Sequence, residues 1–167
     1  MLLLSTAAVA STATLAAPAH AASALGITRE QEIQNASTWL TANNGGPVPY
    51  SQEHTWSDGY RQDCSGFASM ALGPPAPGPN TVGLANDGWT TSETMSDLKQ
   101  GDLVIHWQND SSDLRHVVIF DHWTDDAHTA YYAYEQAGGV GTEYTTESYG
   151  VSGNDGYSAY HPVNLTD

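Results

Sequence analysis

Apolar and polar positions divide the chain into a helical first half and a strand-rich second half. Ile33, Ala36, Trp39 and Leu40 fall at helical spacing. Thr28 precedes them with Gln31 three residues on, the arrangement of a capping box, and Asn43-Asn44-Gly45-Gly46-Pro47 ends the pattern after about Thr41. A second helical stripe runs through Phe67, Ala68, Ala71 and Leu72, with Asp63 as a natural N-cap and Pro74-Pro75 as its stop. Residues 48–61, between the two, have no period and are rich in polar and aromatic side chains, as in a loop that lines a cleft. The Pro/Gly-rich run 73–80 excludes regular structure, and the segment on to Asp97 reads as loop anchored by Trp89.

The second half alternates apolar runs with turns. Residues 103–107, 115–123 and 129–136 read as strands, separated by the turn-formers 109–113 and 124–128. Ala137-Gly138-Gly139 breaks the third, residues 141–156 fit neither period, and 157–163 form a closing strand. Helices followed by a strand meander predict an α+β fold, with N-terminal helices packed on an antiparallel sheet.

Residues 1–25 stand apart. An uncharged Ala/Ser/Thr/Leu-rich stretch ends in Pro18-Ala19-His20-Ala21, which reads as a secretory signal with a small-residue cleavage site, although no Lys or Arg supplies its usual positive start. Residues 26–167 then form one domain, expected to be secreted to the exterior or the cell wall, monomeric, and without a stable membrane anchor. Nineteen acidic residues against four basic ones give a formal charge of −15. That excludes nucleic acid as a partner and suits either solubility or a substrate with a free amine.

The one cysteine gives the chain its candidate chemistry. Cys64 follows the N-cap Asp63, so it sits in a first helical turn, where unpaired N–H groups and the helix dipole favour an anion such as a thiolate. The competing reading is a small buried apolar residue. A thiolate nucleophile needs a base and a group that orients the base. A hairpin turning near Asp125-Asp126 sets His116 opposite Glu135 or a close neighbour, with Gln136 as the alternative third residue on the other face of the strand. The competing reading of His116 is a strand-end histidine facing water. His106, His116, Asp121, His122 and His128 also crowd together in sequence, but Asp121 and His122 are neighbours on a strand and point to opposite sides, so no metal or other cofactor is expected.

Several of these segments together resemble the NlpC/P60 cysteine peptidases, which are related to the CHAP amidases. Asp63-Cys64-Ser65-Gly66-Phe67 is similar to that family's D-C-S-G-[LF] signature, and residues 98–104 resemble its L-x-x-G-D-L-V segment. Residues 115–120 are similar to its His-containing strand, and Pro49-Tyr50 to its P-Y pair. The resemblance covers about residues 48–140. It implies a papain-like fold and a cofactor-free hydrolase of amide bonds in bacterial cell-wall peptides, with the D-glutamyl–diamino acid bond of the peptidoglycan stem peptide as the one cut. It further implies Cys64 as nucleophile, His116 as base and then acid, Glu135 in support, and Tyr50, Asp63 and Ser65 as substrate-binding residues. Alternatives within the same fold are an N-acetylmuramoyl-L-alanine amidase or an acyl transferase; outside catalysis, a binding or toxin-like module. The family's W-G-G after P-Y is absent, replaced by Ser51-Gln52-Glu53-His54, and the Pro/Gly-rich loop after the Cys helix is atypical.

Overall fold

The computed structural model describes residues 26–166; the signal-like segment lies outside them. A short strand, β1 (Ile27–Thr28), leads into α1 (Arg29–Thr38), which opens with the capping box of Thr28 and Gln31. The cysteine helix α2 (Cys64–Leu72) follows the long loop and ends at Gly73, whose left-handed backbone (φ 81°) closes it.

Where a continuous loop was expected, the chain forms α3 (Thr81–Asn86), capped by Asn80, and β2 (Thr90–Glu93). Both are short, and the Thr-Thr-Ser-Glu of β2 carries no apolar alternation because it is an edge strand. Then come β3 (Leu103–His106), β4 (His116–Trp123), β5 (Tyr131–Ala137), β6 (Gly141–Glu147) and β7 (Ser158–Pro162). The stretch that fitted neither period thus begins with a seven-residue edge strand, β6. A last strand, β8 (Leu165–Thr166), pairs with β1 in parallel.

The main sheet has the order β2-β7-β3-β4-β5-β6, with every pairing antiparallel. One face packs Leu103, Ile105, Val117 and Ile119 against Phe67, Ala68 and Ala71 of α2 and against Trp39. The other face buries Val104, Val118, Phe120, Tyr131 and Ala133 beneath Met95, Tyr149 and Tyr157. These are the two faces of period-2 strands buried on both sides. Among the described residues no helix is long and apolar enough to cross a membrane.

Gly101 and Asp102 bring the start of β3 against α1 and β7. Asp102 is fully buried, accepting from Arg29 Nη1 (2.9 Å) and the Lys99 N–H (2.7 Å) and contacting His161 Nδ1 (3.0 Å). Beside it lies Glu32, fully buried, with neither carboxyl oxygen hydrogen-bonded. Burial first and the Asp102 charge second push its acid well above the ordinary range, against the opposing effect of Arg29. Glu93 is pushed up to about 7, by burial and then by its charge and hydrogen-bond interactions with Asp102.

A carboxyl whose folded pKa is raised binds its proton more tightly in the folded state. The stability this contributes is complete below the unfolded value near 4.5 and is lost as pH rises through the folded value. The melting temperature is therefore expected to fall by roughly 5 °C or more between pH 5 and 8.5, and the Glu32→Gln, Glu93→Gln double variant should flatten that slope. Thermal unfolding monitored by circular dichroism across this range checks both expectations; a rising or flat curve in the natural chain would contradict them.

Candidate active site

Three local devices set Cys64 in place. Asp63 caps α2 by accepting from the Gly66 N–H (2.6 Å). Gly66 is required because the carbonyl of Arg61 lies against it: a Cβ there would stand 2.0 Å from the Arg61 oxygen. Third, the Arg61 guanidinium binds Asp63 (Nε to Oδ2, 2.9 Å) and Ser65 Oγ (3.0 Å), and donates to the carbonyls of Pro77 (3.1 Å), Gly78 (2.7 Å) and Pro79 (2.9 Å). One half-buried cation thus holds the Pro/Gly-rich loop to the first turn of the cysteine helix. Tyr60 Oη (to the Pro74 carbonyl) and Ser69 Oγ (to that of Pro79) add to the tie.

Cys64 is 5% exposed. Its sulfur lies 3.9 Å from Thr81 Oγ1 and 4.0 Å from the carbonyl oxygen of Arg115, the residue before β4. His116, first in β4, is near enough to Cys64 on one side for the two to interact electrostatically, while the polar contacts of the sulfur within 4.0 Å, among the described residues, are those with Thr81 and Arg115. On the other, its Nε2 is 2.7 Å from Glu135 Oε2, which leaves Nδ1 as the nitrogen for sulfur. Burial disfavours a charged imidazole, but the interactions with Cys64 and Glu135 outweigh it and raise His116 to about 10.

The meeting of His116 and Glu135 is diagonal, not directly opposed. The pairs Phe120↔Ala133 and Ile119↔Tyr134 carry on to place Glu135 level with Val118, two residues from His116 on the same face. A β-bulge between Phe120 and His122 shifts the register. The bulge also lets the adjacent side chains of Asp121 and His122 meet (2.9 Å), contrary to the opposite sides expected of a regular strand.

Glu135 is itself buried, and Glu147 is near enough to feel its charge. Burial first, then the charge of Glu135, raise Glu147 to about 7. Behind the pair stands an aromatic wall: Tyr149 meets the His116 ring edge-on at 5.8 Å, Tyr157 stacks on Tyr149 at 4.4 Å, and His106 packs on Tyr157 at 5.1 Å. This wall covers one side of the imidazole.

Gln136, the alternative third residue, points the other way. Its amide donates to the carbonyls of Val48 (3.3 Å), Pro49 (3.2 Å) and Gln62 (3.1 Å) and accepts from Thr142 Oγ1 (2.7 Å). It fastens the loop before α2 to the sheet and is not the partner of His116.

A groove of about 140 Å³ opens beside the sulfur, lined by Tyr50, Gln52, Asp63, Ser65, Thr81 and Arg115 among others. Tyr50, Asp63 and Ser65 line this groove together with Cys64. The groove is not acidic, however. Asp63 is matched by Arg61, and among the described residues the other charged residue in the lining is Arg115. Arg61, Thr81 and Arg115 were not singled out from the sequence. The available signal was rarity: Arg61 and Arg115 are two of only four cationic residues, and each lies within three residues of Cys64 or His116.

No protein-family model matches the chain, and no curated protein does. Among solved structures, it is similar to a crystal structure from Staphylococcus aureus subsp. aureus Mu50 described as similar to lipoprotein, NLP/P60 family. The two share 16% sequence identity with a TM-score of 0.53, over 87% of this chain and 45% of the other, so the chain spans less than half the length of that protein. In its mixture of helices and antiparallel strands, this chain has the α+β fold of an NlpC/P60 structure.

Proposed function

We propose that this chain is a cysteine hydrolase that cleaves an amide bond in bacterial cell-wall peptides, acting outside the cell. The observation that carries the reading is the 2.7 Å contact of His116 Nε2 with the buried carboxylate of Glu135, beside a cysteine close enough to interact electrostatically with the same imidazole. Glu135 fixes the ring and compensates its charge, as the acid of a serine triad does. The fold shared with an NlpC/P60 structure and the neighbouring Tyr50, Asp63 and Ser65 support a cell-wall stem peptide as the substrate.

In the reaction, the Cys64 thiolate attacks the amide carbonyl carbon, and the carbonyl electrons move to oxygen. The backbone N–H of Cys64, in the first turn of α2 and free of an intrahelical partner, is a donor for that oxyanion. His116 gives its proton to the leaving nitrogen, the C–N bond breaks, and an acyl thioester remains. The now neutral imidazole takes a proton from water, the hydroxide adds to the thioester carbonyl, and the C–S bond breaks. Acid product leaves and the thiolate–imidazolium pair is restored.

Digests of purified peptidoglycan analysed by mass spectrometry test the substrate and the bond together. Cleavage between D-glutamate and the diamino acid is expected, dependent on Cys64 and absent in Cys64→Ala. Release of whole stem peptides from the sugar would make the chain an amidase instead. No new mass with the natural chain would overturn the cell-wall assignment.

A further inference from the structure

We propose that Thr81 belongs to the reacting centre: its hydroxyl donates to the Cys64 thiolate, and Arg61 is the positioning residue that holds it there. The inference rests on the reading of Cys64 as nucleophile and adds the group that steadies its charge.

The surroundings of the sulfur come first. Among the described residues its polar contacts are Thr81 Oγ1 at 3.9 Å and the Arg115 carbonyl oxygen at 4.0 Å. A carbonyl only accepts, so it favours the protonated thiol and opposes the thiolate. Of the two, the hydroxyl is the one that can turn a proton toward a charged sulfur. Contacts to sulfur are longer than those between oxygens, and a full negative charge draws a donor closer than a neutral thiol does.

Nothing else in its surroundings calls for a hydroxyl on Thr81. The residue is 5% exposed, and its side chain makes no other hydrogen bond among the described residues. It is not the cap of α3, because Asn80 fills that role by accepting from the Gly83 N–H at 2.9 Å. A valine of similar shape would bury there with no polar group to satisfy. The sulfur is the partner that accounts for the hydroxyl.

Arg61 fixes its place. The guanidinium binds Asp63 and Ser65, the two neighbours of Cys64 in the chain. It also donates to the carbonyls of Pro77, Gly78 and Pro79, which lead directly into Asn80 and Thr81. Both sides of the Cys64–Thr81 contact are therefore tied to one planar fork. Gly78 seats this loop closely on α2, since a Cβ there would stand 2.2 Å from Ser69 Cβ. A lysine in place of Arg61 keeps the charge but lacks the fork that spans both sides.

Titration of Cys64 reads the contact without a substrate. The chain has one cysteine, so isotope labelling of its Cβ gives a single NMR resonance that distinguishes thiol from thiolate. The charged and titratable groups about the sulfur are His116, backed by Glu135, and Tyr157, with Asp63 and Arg115 in the groove; all are retained in the variants. In Thr81→Val the midpoint is expected about one unit higher than in the natural chain, and in Thr81→Ser it should return to the natural value. Arg61→Lys should reproduce part of the rise, and none of it in a chain already carrying Thr81→Val. Equal midpoints in Thr81→Val and the natural chain overturn the proposal. So does an equal rise in Thr81→Ser, which assigns the effect to packing. An undiminished effect of Arg61→Lys on the Thr81→Val background overturns the role given to Arg61. Peptide cleavage by the Cys64→Ala chain overturns the nucleophile reading instead, and the titration still decides whether Thr81 bonds the thiolate.

Discussion

Replacing His116 by alanine is expected to lower kcat/KM by about a thousandfold, the larger part of what a positioned acid–base group contributes. The same ring is both counter-ion to the thiolate and proton donor to the leaving amine, so no other group near Cys64 can stand in for it. Glu135→Ala should cost on the order of a hundredfold, through loss of ring orientation and of a compensating charge. Glu135→Gln should cost no less, because the amide removes the compensating charge and can turn its NH2 to the ring, favouring the wrong tautomer. The pH profile separates these roles. His116 is held protonated up to about 10 by Cys64 and Glu135, so acylation should persist through neutrality and fall only as pH rises through about 10. Glu135→Gln removes one of the two negative partners and should move that alkaline limb to lower pH. Single-turnover rates across pH 6 to 11 check this, in a chain whose fold is first verified at each pH. A limb that stays in place would mean that Glu135 does not act on the imidazole.

The second large effect concerns Gly66. A methyl group there would stand 2.0 Å from the Arg61 oxygen and 2.6 Å from its carbonyl carbon, both backbone atoms that cannot swing aside. Gly66→Ala is expected to destabilise the chain by roughly 3 kcal/mol or more, a fall in melting temperature on the order of 10 °C. The strain falls on the turn that holds the Asp63 cap and the Arg61 ties, so activity should drop even where the variant still folds. Gly138→Ala is the control, since its added Cβ would meet nothing within 4 Å. Equal melting of Gly66→Ala and the natural chain would show that the Arg61 backbone is not the fixed wall described above.

This close approach also explains what could be read in the sequence. Asp63, Cys64 and Gly66 belong to one turn, and short-range rules for caps and first turns apply to them directly. The strand period likewise separated Glu135 from Gln136, one turned to His116 and the other to the loop before α2. The hairpin register was legible only to within two residues, because the β-bulge at Asp121 leaves no mark in the apolar pattern. Strand β2 and helix α3 were missed for a related reason: a four-residue polar edge strand and a six-residue helix are too short to display a period. Arg61 and Arg115 act through backbone carbonyls distant in the sequence or hidden in a turn, which no spacing of side chains encodes. Composition misled in one respect. The overall negative charge suggested an acidic cleft, whereas among the described residues the lining of the groove next to the sulfur holds one acidic and one basic residue, Asp63 and Arg115.

The central claim is that Cys64 carries the substrate's acyl group through the reaction. Its most direct test is an acid quench of the chain, milliseconds to seconds after mixing with a soluble stem peptide, followed by intact-mass and peptide-level analysis. The mechanism predicts a transient mass increase equal to the acyl fragment, located on Cys64 and gone at completion, longer-lived in Glu135→Ala and never formed in Cys64→Ala. Peptide cleavage by the Cys64→Ala chain, or an adduct on any other residue, would contradict it.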